Sequence, residues 1–295
     1  MITRTRLELQ GTRGPIWLAD HPITGSVVIT VLTGLGLQLT NLIDFDERMS
    51  TVVGWTLRLR LIDFGFRMVF GVLVVLIALP FLLGHLRNRP WLLRYLRHIR
   101  LTTGHTPRLT MTATAVSAAI LVGFVIGLGA SAGALAADPD FWAEDSRWFI
   151  VILALVPGIW EELAFRGLML TNLQQRYHRW AAIVVTGVMF GLMHLIDLVS
   201  GDPSQVVFRV IMATTLGIAW GYLTVMTGSV VPAMTLHYLV NVLIELMLDP
   251  ELSDAAGAAI FGSVTIAYPV LTMIAAWGLA RVMVYRPTLA ATPGE

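Results

Sequence analysis

Runs of about twenty apolar residues recur along this chain, at approximately 22–43, 66–86, 110–136, 147–171, 180–199, 206–227, 229–248 and 258–285. Wound as an α-helix, a run of that length matches the ~30 Å hydrocarbon core of a bilayer, and it is too long for a barrel strand. Lipid offers no partner to a backbone N–H or C=O, so only helices or closed barrels cross it. The runs therefore predict an all-α fold, a polytopic transmembrane bundle of about eight spans. Composition agrees: 56% of the residues are hydrophobic and 13% charged, far too apolar for a soluble monomer. The absence of cysteine excludes disulfides, thiolate metal sites and a Cys nucleophile. Any catalysis must use carboxylate, His, Ser or metal.

The basic residues set an orientation. All 20 are arginine, from which a GC-rich bacterial genome is expected. With the N-terminus in the cytoplasm, inside segments hold Arg4, Arg6, Arg13, Arg87, Arg89, Arg94, Arg97, Arg100, Arg108, Arg176, Arg179, Arg281 and Arg286. Outside loops hold only Arg48, Arg58, Arg60 and Arg147. This asymmetry predicts a multi-pass protein of the cell membrane with both termini cytoplasmic. The N-terminal stretch lacks the short apolar core and cleavage site of a signal peptide, so the first span is expected to remain as an anchor.

Arg87 to Arg108 places Arg94, Arg97 and Arg100 among Trp91, Leu92, Leu93, Leu96 and Ile99, the pattern of a basic helix lying on the inner leaflet. Membrane anchoring outweighs a substrate-docking role for it. The acidic stretches 137–145 and 249–254 are expected as solvated outside loops. Three GxxxG patterns, Gly123/Gly127, Gly187/Gly191 and Gly217/Gly221, read as helix-packing faces. Residues 129–133, GASAG, match a nucleophile-elbow pattern, but that device needs a strand and a sharp turn, so packing is the expected role.

Ionisable groups inside the spans are costly, about 2.5 to 3.5 kcal/mol each at a helix centre, and they are unevenly placed. The first three spans hold only Arg67 and His85, each near an end of its span. The next four carry Glu161, Glu162, Arg166, His194, Asp197, Arg209, His237, Asn241 and Glu245. On an α-helix, positions four apart lie about 40° apart and positions five apart about 140°. Glu162 therefore pairs with Arg166 as structural support, neutralising two buried charges, and Glu161 faces elsewhere. Phe190/His194 and His237/Asn241 each share a face. Counted from the cytoplasmic ends at ~1.5 Å per residue, Glu161, His194, His237 and Asn241 fall in one layer near the bilayer middle. Asp197 and Glu245 lie farther out, and Arg209 is expected to snorkel.

A carboxylate, two histidines and an amide at one depth suit hydrolysis. Glu161 would take a proton from water, helped by His194, while His237 and Asn241 hold the oxyanion. The same Glu161, His194 and His237 could instead bind one divalent metal, zinc, with water in the fourth position. Spacing leaves both open, and the need for a histidine at the oxyanion favours the metal-free route.

Residues 161–167 (EELAFRG), 190–194 (FGLMH) and 237–241 (HYLVN) resemble the EExxxR, FxxxH and HxxxN motifs of the CAAX-protease and bacteriocin-processing (CPBP, or ABI) family of intramembrane proteases. The likeness spans about 147–248. It implies an eight-helix intramembrane endopeptidase, with Glu161 and His194 catalytic and His237 and Asn241 the remaining pair. It also implies a membrane-embedded or lipidated peptide substrate and no nucleic-acid partner. The family is often labelled metalloprotease, although a glutamate mechanism is also proposed for it. The expected organisation is 1–140, an N-terminal transmembrane region; 145–248, the catalytic core; and 249–295, a C-terminal span and tail. A secondary transporter also carries midplane charges, and a catalytically idle scaffold would share the fold. The missing internal repeat counts against the first, and the intact motif residues count against the second.

Overall fold

The computed structural model describes residues 20–42, 91–101, 106–131, 154–199, 202–247 and 254–284, with a few positions at 64–73, 104 and 151–152. Among these residues the chain is helical throughout, without strands. The helices are α1 (Pro22–Leu42), α2 (Trp91–His98), α3 (Pro107–Ser131), α4 (Leu155–Glu162), α5 (Leu170–Gln174), α6 (Arg179–Met193), α7 (Pro203–Thr227), α8 (Val231–Met247), α9 (Asp254–Gly262) and α10 (Tyr268–Met283). A π-helical segment, Leu163–Met169, joins α4 to α5, and a second, Ser263–Ala267, joins α9 to α10. A 3-10 turn, His194–Val199, continues α6.

Four of these stretches are long and apolar enough to cross a membrane: Pro107–Ser131, Arg179–Val199, Pro203–Thr227 and Ala259–Met283. Shorter apolar helices occupy Pro22–Gly36 and Val231–Ile244. The chain is thus a multi-pass helical membrane protein. Most of the predicted 66–86 span and the acidic loops lie outside the described residues.

Local chemistry sets where the spans begin and end. Asp202 caps α7, accepting from the backbone N–H of Ser204 at 2.9 Å and of Gln205 at 3.2 Å, with Pro203 in the first turn. Hydrogen bonds from Ser204 and Gln205 hold the Asp202 carboxyl below the usual carboxylate range. Gly228, at φ 73°, ends α7 in the left-handed conformation that glycine adopts without strain. Within the spans, Thr186, Thr224 and Thr227 donate to carbonyls one turn back, so their hydroxyls need no partner from lipid.

The outer faces remain apolar. Val184, Val188 and Leu192 on α6, and Val270, Ile274 and Trp277 on α10, are exposed where lipid would surround them. At the centre stands α7, which packs on α6, α8 and α10. Its contact with α6 runs through glycines. A β-carbon on Gly187 would sit 2.8 Å from the Ile218 nitrogen, and one on Gly217 would sit 2.9 Å from the Gly187 Cα. Two of the three GxxxG patterns therefore bring backbones together, as expected. For the third, β-carbons on Gly123 or Gly127 would meet nothing within 4 Å among the described residues. Ser131, in the GASAG stretch, lies at the end of α3 and donates to the Leu128 carbonyl at 2.9 Å, and the residues after it lie outside the described ones.

The basic segment departs from a helix simply resting on lipid. Tyr95 and Ile99 are fully buried, so one face of α2 inserts into the protein.

Candidate active site

Glu161 and Glu162 close α4, whose first turn contains Pro157, where a missing N–H removes no helical hydrogen bond. Both glutamates are buried, and Glu162 and Arg166 have no exposed surface. Arg166 Nη1 donates to Glu162 Oε1 at 2.9 Å, which is the pairing expected from their spacing. The helix around them differs from the expected α-form. Its π-turn runs hydrogen bonds from i to i+5, so positions five apart no longer diverge as they do on an α-helix. Arg166 accordingly lies in the field of Glu161 as well as Glu162.

Glu162 has a second task that spacing along one helix could not show. The same Oε1 accepts a hydrogen bond from His237 Nδ1 at 2.9 Å. The carboxylate fixes the imidazole's orientation and leaves Nε2 as the ring atom available for chemistry. On α6, His194 sits at the switch from α-helix to 3-10 turn and donates from Nδ1 to the Phe190 carbonyl at 3.1 Å. Its Nε2 is likewise the remaining nitrogen.

Phe190 brings these elements together. Its ring makes edge contacts with His194 at 5.4 Å, His237 at 5.8 Å and Phe165 at 5.1 Å between centroids. The Arg166 guanidinium lies over it at 4.0 Å. Trp220 of α7 completes the enclosure, stacked on His237 at 5.1 Å and 29°, with Arg166 5.6 Å from its ring. Arg166 Nε and Nη2 have no hydrogen-bond partner among the described residues, and these aromatic faces offset part of that cost. Gly217 leaves room for Nη2, which would lie 3.1 Å from a β-carbon there.

Trp220 belongs to none of the three motifs. A tryptophan in mid-span is unusual, since the residue concentrates at membrane interfaces, and that displacement was the available signal. Asn241 lies one turn beyond His237 on α8 and is partly buried. Asp197 accepts from Arg209 Nη1 at 2.8 Å. The side chain of Glu245 lies outside the described residues.

Carboxylate and carbonyl acceptors behind two histidines would suit metal ligands. A catalytic zinc needs three protein donors around one point. Among the described residues no group of three His, Asp or Glu side chains is gathered closely enough to hold an ion. Glu161, His194 and His237 as arranged do not fit one.

Residues 143–243 match the family model described as Type II CAAX prenyl endopeptidase Rce1-like. Over these residues, about a third of the chain, the sequence is similar to that family. The Rce1-like segment contains Glu161, Glu162, Arg166, His194, Trp220, His237 and Asn241, and it agrees with the CPBP resemblance of the three motifs. No curated protein matches the chain.

Proposed function

We propose that the protein is an intramembrane endopeptidase that hydrolyses a peptide bond in a membrane-embedded or lipidated substrate. A prenylated C-terminal peptide is the substrate class suggested by the Rce1-like match. The observation that carries this reading is the Glu162 oxygen shared by Arg166 and His237, because it orients a histidine from one motif with a carboxylate from another.

The chemistry follows from which nitrogen is engaged. His194 spends its Nδ1 proton on the Phe190 carbonyl, so Nε2 accepts a hydrogen bond from the attacking water. Glu161 removes the proton from that water as its oxygen bonds to the peptide carbonyl carbon. The carbonyl oxygen becomes an oxyanion. Asn241 donates to it through its amide, and His237 donates through Nε2 when both ring nitrogens carry protons, a cation that Glu162 stabilises. The proton held by Glu161 passes to the amide nitrogen, the C–N bond breaks and the amine leaves. No step is routed through a metal.

In this reading residues 145–248 form the catalytic core between the 1–140 region and the 249–295 tail, with both termini cytoplasmic. The arginine distribution supports that orientation. Incubating the reconstituted protein with prenylated peptides and identifying products by mass should show a shortened peptide, absent with Glu161→Gln. Cleavage undiminished in that variant would refute the assignment of the base.

A further inference from the structure

The C-terminal cap of α2 contains an arginine where glycine is usual. Leu101 N–H bonds to the Leu96 carbonyl at 2.9 Å and Arg100 N–H to the Arg97 carbonyl at 3.1 Å, which is a Schellman cap. Its left-handed position is Arg100, at φ 58°. A glycine would occupy that conformation without strain, whereas Arg100 adds a side chain that is itself held by the protein. Arg100 Nη2 donates to Gln174 Oε1 at the end of α5. The Arg100 carbonyl accepts from Val230 N–H at 3.1 Å, at the turn between α7 and α8. One residue earlier, a β-carbon on Gly167 would lie 2.9 Å from the Ile99 carbonyl oxygen. His98 Nε2 donates to Asn172 Oδ1 at 3.0 Å. The inner side of α2 is thus fastened to the π-segment that carries Arg166 and to α5 beyond it.

The outer side is chemically different. Leu92 and Leu93 are 43% and 57% exposed, and Arg94 and Arg97 are exposed beside them. The contacts of α2 also fix its level. It touches the end of α5 and the turn from α7 to α8, while residues 104–110, following it, adjoin Thr227 and begin α3. Helix ends gather at one edge of the bundle, so α2 lies at the boundary between hydrocarbon and water. Exposed leucines beside exposed guanidinium groups at that level match acyl chains and the anionic headgroups above them.

We propose that the outer face of α2 binds anionic phospholipid headgroups, and that lipid bound there steadies the π-segment at Leu163–Met169. The route runs from Arg94 and Arg97 through the buried Tyr95 and Ile99 to Gly167, with Arg100 and His98 holding α5 in parallel. Lipid charge would thereby tune the geometry of Arg166 and its partner Glu162 from outside the bundle.

The chain has no cysteine, so Leu93→Cys gives a unique attachment point for an environment-sensitive fluorophore on the full-length protein. Labelled protein is reconstituted in vesicles of phosphatidylcholine alone or mixed with phosphatidylglycerol. The label should shift to the blue with phosphatidylglycerol, the shift should be reversed by high salt, and it should be lost in the same chain carrying Arg94→Gln and Arg97→Gln. Backbone amide exchange across 163–174 should slow in the anionic vesicles for the parent chain and stay constant for the double variant. Equal emission in both lipids, or a shift that the double variant keeps, would overturn headgroup binding. A charge-dependent shift with unchanged exchange at 163–174 would overturn the coupling. Both readouts work without a substrate, so they separate this proposal from the assignment as a protease.

Discussion

Glu162 and His237, 75 residues apart, meet through a 2.9 Å hydrogen bond on the carboxylate oxygen that also accepts from Arg166. Replacing Glu162 with Gln removes the only negative charge in this three-residue cluster and leaves the buried guanidinium without the carboxylate that it is hydrogen-bonded to. Breaking such a buried pair costs about 3 to 5 kcal/mol, so Glu162→Gln should accumulate poorly in membranes and unfold at lower temperature. Glu161→Gln should fold normally and lose at least about a hundred-fold in cleavage rate. Thermal unfolding in detergent alongside turnover measures both. A well-folded, inactive Glu162→Gln together with an active Glu161→Gln would reverse the two roles.

Trp220 stacks on the face of His237, and its contribution is positional. Phenylalanine retains an aromatic face but reduces the stack over the imidazole and Arg166. With aromatic pairs worth about 0.5 to 1.5 kcal/mol, Trp220→Phe should lower kcat by up to about ten-fold while KM and unfolding temperature change little. A change confined to KM would place Trp220 in substrate binding instead.

The bundle, its helix-packing glycines and the Glu162–Arg166 pair were legible because each follows from local periodicity. The link from Glu162 to His237 was not, since nothing in helical spacing tells which of two adjacent glutamates a distant helix will meet. The π-turn was equally hidden. Residues 163–169 contain no proline to mark a widened turn, and positions spaced at 3.6 residues per turn carry no sign of one. Gly123 and Gly127 differ from the other pairs in meeting no neighbour within 4 Å among the described residues.

That contrast gives a matched pair of substitutions. Gly217→Ala drives a methyl group to 2.9 Å from the Gly187 Cα, where backbone must move, whereas Gly123→Ala meets nothing within 4 Å among the described residues. The first should destabilise by about 1 to 3 kcal/mol, and the second should be neutral or slightly stabilising. Denaturation of the two variants under identical detergent conditions compares them directly. Equal losses would show that the close approach of α6 and α7 does not limit stability.

The arginine asymmetry predicts that a reporter fused at Ala143 reads out on the opposite side of the membrane from one fused at the C-terminus. Compartment-specific reporters, one active only in the cytoplasm and one only outside it, provide the measurement. Matching compartments at both positions would refute the proposed topology.

Donor geometry predicts that prolonged chelation leaves the cleavage rate of purified protein within about two-fold of its starting value, because water activation rests on side chains alone. Metal content by mass spectrometry should accompany the assay. Stoichiometric zinc, with activity lost on chelation and restored on return, would recast Glu161 as a ligand.

The shared oxygen of Glu162 also orders the protein's biogenesis. Arg166 lies four residues from Glu162 on the same stretch of helix, so the two charges can leave the translocation machinery already neutralised, as a unit that lipid tolerates. His237 arrives only after α6 and α7 have been synthesised and inserted. Before then the cluster is a passenger pair within one helix. Its last hydrogen bond closes when α8 reaches α4, so the step that completes the site is also the step that completes assembly of this part of the bundle.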